Sequence, residues 1–136
     1  MNRRSYLIAG GASLSAALAG CLGGSSGTSP GAGSPTQGLR LESLDLPGSP
    51  GGPITVRPPG KVAVLDFFAT WCAPCKPEMA NLRAARSRFD PDDVFMVSIT
   101  QETDEGAIAQ FWRRYDGAWP VAMDTDIEAT RAFSIT

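Results

Sequence analysis

The fold is decided by Lys61-Val-Ala-Val-Leu-Asp-Phe-Phe-Ala-Thr-Trp-Cys-Ala-Pro-Cys-Lys-Pro77, an apolar run that ends in two cysteines. Val62 to Phe68 is mostly β-branched and aromatic, interrupted by Asp66, which predicts a strand buried on both faces in the middle of a sheet. Apolar residues three or four apart predict a helix next. They are Met79, Leu82, Ala85 and Phe89. A buried strand that leads directly into a helix would place Cys72 at the helix N-terminus.

Cys72 and Cys75 are spaced for thiol–disulfide exchange. The two residues are three positions apart on a first helical turn, so their sulfurs can form a small, reversible disulfide. The unpaired N–H groups and the dipole at a helix N-terminus favour a thiolate, so we expect the Cys72 pKa to fall from about 8.5 to roughly 7 to 7.5. Pro74 suits a first turn, whereas Pro77 cannot donate to the Ala73 carbonyl, which predicts a kink or a late helix start.

The segment from Val64 to Lys76 resembles the thioredoxin superfamily, and most nearly its membrane-tethered TlpA/ResA-like thiol–disulfide oxidoreductases. The resemblance runs from about Leu39 to the C-terminus and implies a thioredoxin-like α/β fold. It also implies that Cys72 is the nucleophile and that Cys75 resolves the mixed disulfide. Protein thiols and disulfides are the implied partners, apocytochrome c among them, with a membrane electron donor. We expect no cofactor, and neither the substrate nor the direction of exchange follows from the sequence.

Two carboxyl groups accompany the cysteines in this resemblance. Asp66 stands where thioredoxins keep a buried aspartate that handles the proton of the resolving thiol. Its apolar strand should raise its pKa, which suits proton exchange with Cys75, although a purely structural acid is the alternative. Glu78 matches a glutamate that the TlpA/ResA branch carries near its active site, and a solvated helix residue is the alternative.

Four neighbours complete the predicted active-site environment. They are Trp71, Ala73, Pro74 and Lys76. We expect Trp71 to shield the disulfide, although packing alone would also explain it. Lys76 is expected to be an exposed charge that mildly favours the thiolate.

The N-terminal residues resemble an export signal. Arg3 and Arg4 precede a weakly apolar run to Ala19, as in twin-arginine signals, and Leu18-Ala-Gly-Cys21 resembles a lipobox. The run is too short for a convincing membrane span, so the alternatives are a plain secretory signal or an uncleaved anchor. Lipid on Cys21 would also remove the odd thiol that three cysteines leave in an exported chain.

These features divide the chain into an export signal with lipobox at 1–21, a flexible Gly/Ser/Pro tether at 22–38 and a thioredoxin-like domain at 39–136. The expected location is the extracytoplasmic face of the cell membrane, through the lipid anchor. Without the signal the chain has 10 basic and 14 acidic residues, a net charge of −4. No basic patch indicates nucleic-acid binding.

Within the domain, the pattern predicts an N-terminal β-hairpin with its turn at 47–52. Val94–Ile99 should form a strand parallel to Val62–Phe68. Helices are predicted at 104–115 and at 127–133, the second capped by an Asp-Thr-Asp sequence.

The resemblance also implies elements that this chain lacks. Thioredoxin-like domains continue with a cis-proline loop, two antiparallel strands and a final helix. The final strands and helix have no counterpart in the sequence, so we expect an incomplete, truncated domain. The edge beside the strand of Val62–Phe68 should then be open.

Three other classes of protein use a similar cysteine pair. A zinc site usually needs four Cys or His ligands, and the chain has no histidine. A copper-binding, metallochaperone-like lipoprotein is the leading alternative, with Met79, Met96 or Met123 as soft ligands, although core packing explains these residues more simply. A peroxiredoxin normally needs Thr or Ser three residues before its reactive cysteine, where this chain has Ala69. No metal site is predicted.

Overall fold

A computed structural model describes residues 36–136, which form a mixed five-stranded sheet with three helices. The elements are β1 (Arg40–Leu46), β2 (Ser49–Thr55), β3 (Val62–Phe67), α1 (Cys75–Arg88), β4 (Val94–Thr100), α2 (Glu105–Arg114), β5 (Val121–Met123) and α3 (Glu128–Ala132). The strand order is β2-β1-β5-β4-β3. β4 is parallel to β3 and to β5, whereas β1 is antiparallel to β2 and to β5. The predicted α/β class is confirmed.

The predicted N-terminal hairpin is present, but its turn is shorter than expected. β1 and β2 pair as far as Leu46 and Ser49, so the turn contains only Pro47 and Gly48. Gly48 has a φ of +75°, and a Cβ there would lie 2.1 Å from the carbonyl carbon of Ala118. Only glycine fits that close approach. The predicted turn at 47–52 is therefore wrong in extent.

β3 lies at an edge of the sheet, not in its middle as predicted. It pairs only with β4, in a register that runs from Val62 opposite Val94 to Phe67 opposite Ile99. Val62 is 65% exposed. The neighbouring strand β4 has a strand on each side and is buried from Met96 to Thr100. Within residues 36–136, the outer edge of β3 is unpaired, in agreement with the predicted open edge.

Apolar clusters cover both faces of the sheet. Successive residues of a strand point to opposite faces, and on β4 Met96 belongs to one cluster while Val97 belongs to the other. The first cluster receives its helical residues from α1 and α2, and we call this side the α1/α2 face. The second receives Ala129 of α3. The sheet is therefore packed between helices on its two sides.

The helix α1 begins three residues after Cys72, so this cysteine, predicted at the helix N-terminus, lies in the turn just before it. Cys75 is the first residue of α1, and Pro74 occupies the N-cap position. Pro77 is then the third helical residue, where no intrahelical N–H bond would be made in any case. Of the two outcomes predicted for Pro77, the late start is confirmed.

The other two helices agree with the predicted segments. Asp104 caps α2 by accepting a hydrogen bond from the Ala107 N–H at 3.0 Å. The carboxylate of Asp124 accepts from the N–H groups of Ala129 and Thr130 at 3.0 and 2.8 Å, and so holds the start of α3. Asp104 is the N-cap residue of α2, whereas Asp124 lies three residues before Ile127, the N-cap residue of α3.

The predicted export signal, Cys21 and all but the last three tether residues lie outside the described part of the chain. Residues 36–38 form a turn. No helix between residues 36 and 136 has the length and apolar character needed to cross a bilayer.

Candidate active site

Cys72 and Cys75 form a disulfide. Their Cα atoms are 5.3 Å apart, a separation typical of disulfides. Cys72 lies in the turn before α1, where its N–H donates to the Ala69 carbonyl at 3.1 Å. The bond to Cys75 holds the Cys72 sulfur against the first turn of α1, where unpaired N–H groups and the helix dipole favour negative charge. The predicted juxtaposition of the two cysteines is therefore present, with Cys75 in the helix.

A cleft of about 460 Å³ opens beside the disulfide. Its lining includes both cysteines together with Phe67, Trp71, Ile99 and Ile135. Trp71 is 79% exposed and Ile135 is 42% exposed, so solvent reaches apolar side chains next to the sulfurs. That Trp71 shields the disulfide stays a prediction.

Asp66 lies on the same side of the sheet as Cys75. Val64 and Phe68, two residues to either side of it, pack in the cluster on the α1/α2 face, as does Cys75, and strand alternation places Asp66 on that face too. Burial raises the pKa of Asp66 above its ordinary value of 3.8, although the hydrogen bond from Ser98 opposes this rise. The predicted rise in pKa is confirmed, whereas proton exchange with Cys75 stays a prediction.

Ser98 donates to the Asp66 carboxyl group and Trp119 donates to Ser98, and sequence reasoning missed both residues. Ser98 Oγ donates to Asp66 Oδ2 at 2.7 Å and accepts from Trp119 Nε1 at 2.9 Å. Ser98 is opposite Asp66 in the register of β3 and β4. A polar residue at matching positions of two apolar strands is a signal that could have found Ser98. No comparable signal marks Trp119.

Glu102 holds the loop that leads to Cys72, and sequence reasoning missed this residue too. Its carboxylate accepts from the Thr70 N–H at 2.7 Å, from Thr70 Oγ1 at 2.6 Å and from Thr100 Oγ1 at 3.2 Å. Thr70 stands two residues before Cys72, so this clamp ties the loop to the end of β4. Glu102 could have been found, because functional residues of parallel sheets collect beyond the carboxyl ends of the strands.

The remaining predicted residues surround the disulfide on the surface. Glu78 is exposed on the first turn of α1, and its negative charge adds to the rise in the pKa of Asp66. Lys76 is exposed, as predicted, and Ala73 and Pro74 form the exposed turn before α1. A role of Glu78 in the reaction stays a prediction.

The three methionines considered as soft metal ligands pack against the core. Met79 and Met96 are buried in the cluster on the α1/α2 face, and Met123 is half-buried against it. Among residues 36–136, no three His, Cys, Asp or Glu side chains are grouped in a way that could hold a metal ion. Core packing therefore accounts for these methionines.

We expect Asp66→Asn to stabilise the oxidised protein at neutral pH. Because burial raises the pKa of Asp66, the folded chain holds this proton more tightly than the unfolded chain does. The resulting stability is complete below the unfolded pKa of 3.8 and is lost as the pH rises through the folded pKa. Asparagine removes that loss, so the two proteins should differ at pH 7 and converge near pH 3 in urea unfolding.

The exposed Asp45 provides a matched control for this prediction. Because its side chain is exposed, Asp45→Asn should change the free energy of unfolding at pH 7 by less than about 0.5 kcal/mol. A lower stability of Asp66→Asn than of the wild type at pH 7 would contradict the sign derived from burial.

Comparison with known proteins places these observations in a family. Residues 33–136 match the Redoxin family. Thiol-disulfide oxidoreductase ResA of Bacillus subtilis (strain 168) is 29% identical over 101 residues, which are 74% of this chain and 50% of ResA. ResA of Oceanobacillus iheyensis is 33% identical over 76 residues, which are 56% of this chain and 40% of that protein. The chain thus spans half or less of the length of these curated relatives.

Solved structures show the same fold. A secreted Mycobacterium tuberculosis disulfide oxidoreductase homologous to E. coli DsbE aligns with a TM-score of 0.61 and 24% identity, over 76% of this chain and 72% of that one. StoA from Bacillus subtilis aligns with a TM-score of 0.59 and 20% identity, over 71% of each chain. These likenesses confirm the predicted thioredoxin-like fold. Since the family match covers most of the sequence, the chain belongs to the Redoxin family.

Proposed function

We propose that this chain is a thiol–disulfide oxidoreductase that acts through Cys72 and Cys75. The observation that carries the proposal is the bond between the two sulfurs across the first turn of α1, at the edge of an open cleft. A small disulfide beside exposed apolar side chains is accessible to the sulfur of a protein substrate. The names of the ResA relatives support the same chemistry.

The proposed reaction has two exchange steps. The thiolate of reduced Cys72 attacks a substrate disulfide, forms a mixed disulfide and releases one substrate thiolate, which takes its proton from water. The Cys75 thiol then gives its proton to Asp66, and the Cys75 thiolate attacks the Cys72 sulfur. The second substrate sulfur leaves as a thiolate and receives the proton back from Asp66. The substrate disulfide gains two electrons, and the cysteine pair is oxidised.

The residues around the pair suit these steps. The first turn of α1 favours the negative sulfur that each step needs. Burial raises the pKa of the Asp66 carboxyl group above its ordinary value, which suits this group to accept a proton and return it. The clamp of Glu102 on Thr70 keeps the loop before Cys72 in one position.

We place the protein at the extracytoplasmic face of the cell membrane, held by lipid on Cys21. The paired arginines and the lipobox-like Leu18–Cys21 segment support this location. There a membrane electron donor would reduce the cysteine pair again after each cycle. Exported proteins are the proposed substrates, with apocytochrome c as the specific candidate.

Cys21→Ser is expected to abolish incorporation of radiolabelled palmitate in cells and to release the protein from the membrane fraction. A serine hydroxyl cannot form the thioether through which the lipid is attached. The matched control is the double variant Cys72→Ser/Cys75→Ser, which should keep the full label. Label retained by Cys21→Ser would contradict lipid attachment at this residue.

Reduction of insulin by dithiothreitol tests the exchange activity. The full chain in detergent should accelerate precipitation of the insulin B chain. The copper alternative is tested on the same preparation by titrating the reduced protein with Cu(I). Tight metal binding without any acceleration of insulin reduction would overturn the proposed function in favour of a copper-binding protein.

A further inference from the structure

The hydrogen bonds between Trp119, Ser98 and Asp66 have a fixed direction. An indole N–H can only donate, so the Ser98 hydroxyl must accept from Trp119 Nε1 across their 2.9 Å contact. The single hydrogen of that hydroxyl is then directed to its other neighbour, Asp66 Oδ2, at 2.7 Å. Ser98 and Trp119 are both buried, so no solvent competes for these bonds.

The two oxygens of the Asp66 carboxyl group are consequently not equivalent. Oδ2 already receives the Ser98 hydrogen, and a proton placed on it would face that donor. Oδ1 accepts no hydrogen bond from the described residues, yet no buried side-chain oxygen among them is left without a partner. Oδ1 must therefore reach solvent, and it is the oxygen at which a proton can arrive and leave.

We propose that Ser98 and Trp119 are positioning residues that form a one-way donor chain, which favours the Asp66 carboxylate and directs its proton to Oδ1. This inference rests on the proposed function for its purpose, because Asp66 there accepts the proton of Cys75 and returns it. The donor chain leaves Oδ1 as the oxygen of Asp66 that gains and loses the proton. It also limits how tightly a buried carboxyl group holds the proton that it must give back.

Ser98 is the group that stabilises the Asp66 carboxylate, because no neighbouring charge in the described part of the chain does so. On β3 the neighbouring side chains of the same face, Val64 and Phe68, are apolar. From α1, the nearby charge is that of Glu78, which is negative and disfavours the carboxylate. From β4, the contact is the neutral hydroxyl of Ser98. Within residues 36–136, no cation is among the groups that shift the pKa of Asp66, so the donor chain is what favours the ionised acid.

The test is the titration of the Asp66 carboxyl carbon by ¹³C NMR in the oxidised full chain, in which Cys72 and Cys75 cannot titrate. Ser98→Ala removes a hydrogen bond to a charged group and should raise the proton affinity of Asp66 about tenfold. Trp119→Phe leaves the hydroxyl in place but frees it to turn, so it should raise the proton affinity of Asp66 by a smaller factor than Ser98→Ala does. The matched control is Ser43→Ala, a buried serine of β1 that donates to the Gly52 carbonyl at 2.9 Å. It should leave the titration unchanged.

The proposal is decided by how far each variant shifts the titration of Asp66. An unchanged titration in both Ser98→Ala and Trp119→Phe, or a lower proton affinity in either, overturns it. If Ser98→Ala does not fold, Trp119→Phe alone decides, since a purely structural role would not move the titration. The proposed function fails separately: a wild-type chain that cannot reduce insulin, with the titration shifted in the variants, refutes the exchange activity and leaves the donor chain standing.

Discussion

Cys72→Ser should abolish insulin reduction, with a loss in kcat/KM on the order of 10³-fold or more, as expected when a covalent nucleophile is removed. A serine hydroxyl is a far weaker nucleophile than a thiolate and cannot form a disulfide with the substrate. Cys72 occupies the turn before α1 and lines the cleft, where an incoming sulfur can approach it. The measurement is the initial rate of insulin reduction against the uncatalysed rate.

Cys75→Ser should also stop turnover, but at a different step. The Cys72 thiolate can still attack, so a mixed disulfide with a disulfide-bonded peptide should accumulate and be seen by mass spectrometry under non-reducing conditions. Cys72→Ser should trap little or none. Cys21→Ser serves as the cysteine control and should keep full activity in detergent. Trapping by Cys72→Ser and not by Cys75→Ser would reverse the proposed roles of the two cysteines.

Local features of the fold could be predicted, whereas the strand order could not. The helix α2 could be predicted because its apolar residues recur at helical spacing within one short segment. The placement of β3 in the middle of the sheet, predicted from its composition, is wrong, and its open edge follows only from the family resemblance, because a strand's place in a sheet depends on which distant strands pair with it. The apolar composition of Val62–Phe67 does not report that pairing. Val62 is exposed and the other five residues of β3 are only half-buried, so the predicted burial on both faces is wrong as well.

The same distinction holds for the site. Cys72, Cys75 and Asp66 lie within ten residues of one another and carry a strong local pattern. Ser98 is 32 residues from Asp66, and Trp119 is a further 21 residues along the chain. A tryptophan in a core contributes mainly apolar area, and its N–H partner is set by the fold. Residues that tune the acid are therefore visible only once β3, β4 and the segment before β5 are assembled.

Trp112→Ala should cause the largest loss of stability among single substitutions in this core, about 3 to 5 kcal/mol. Trp112 is fully buried. Its ring contacts Trp119 edge-on at 5.1 Å, and its Nε1 donates to the Pro47 carbonyl at 3.0 Å. A Cβ at Gly117 would lie 2.1 Å from the indole, so the ring packs directly against the backbone at this glycine. Urea unfolding of the oxidised protein measures the loss.

Trp71→Ala is the matched control, because Trp71 is the most exposed of the large apolar side chains in the described chain. Its removal should change the free energy of unfolding by less than about 0.5 kcal/mol. Similar losses for the two variants would contradict the placement of the core.

The effect of Trp112→Ala should reach the active site as well as the core. Trp119 packs on Trp112, and Trp119 orients the Ser98 hydroxyl that holds Asp66. If the cavity lets Trp119 shift, its N–H moves away from Ser98, and the proton affinity of Asp66 should rise as it does in Trp119→Phe. The folded fraction of Trp112→Ala would then show both a lower stability and a displaced Asp66 titration. One packed ring would thus support the hydrophobic core and the ionisation of the acid beside the disulfide.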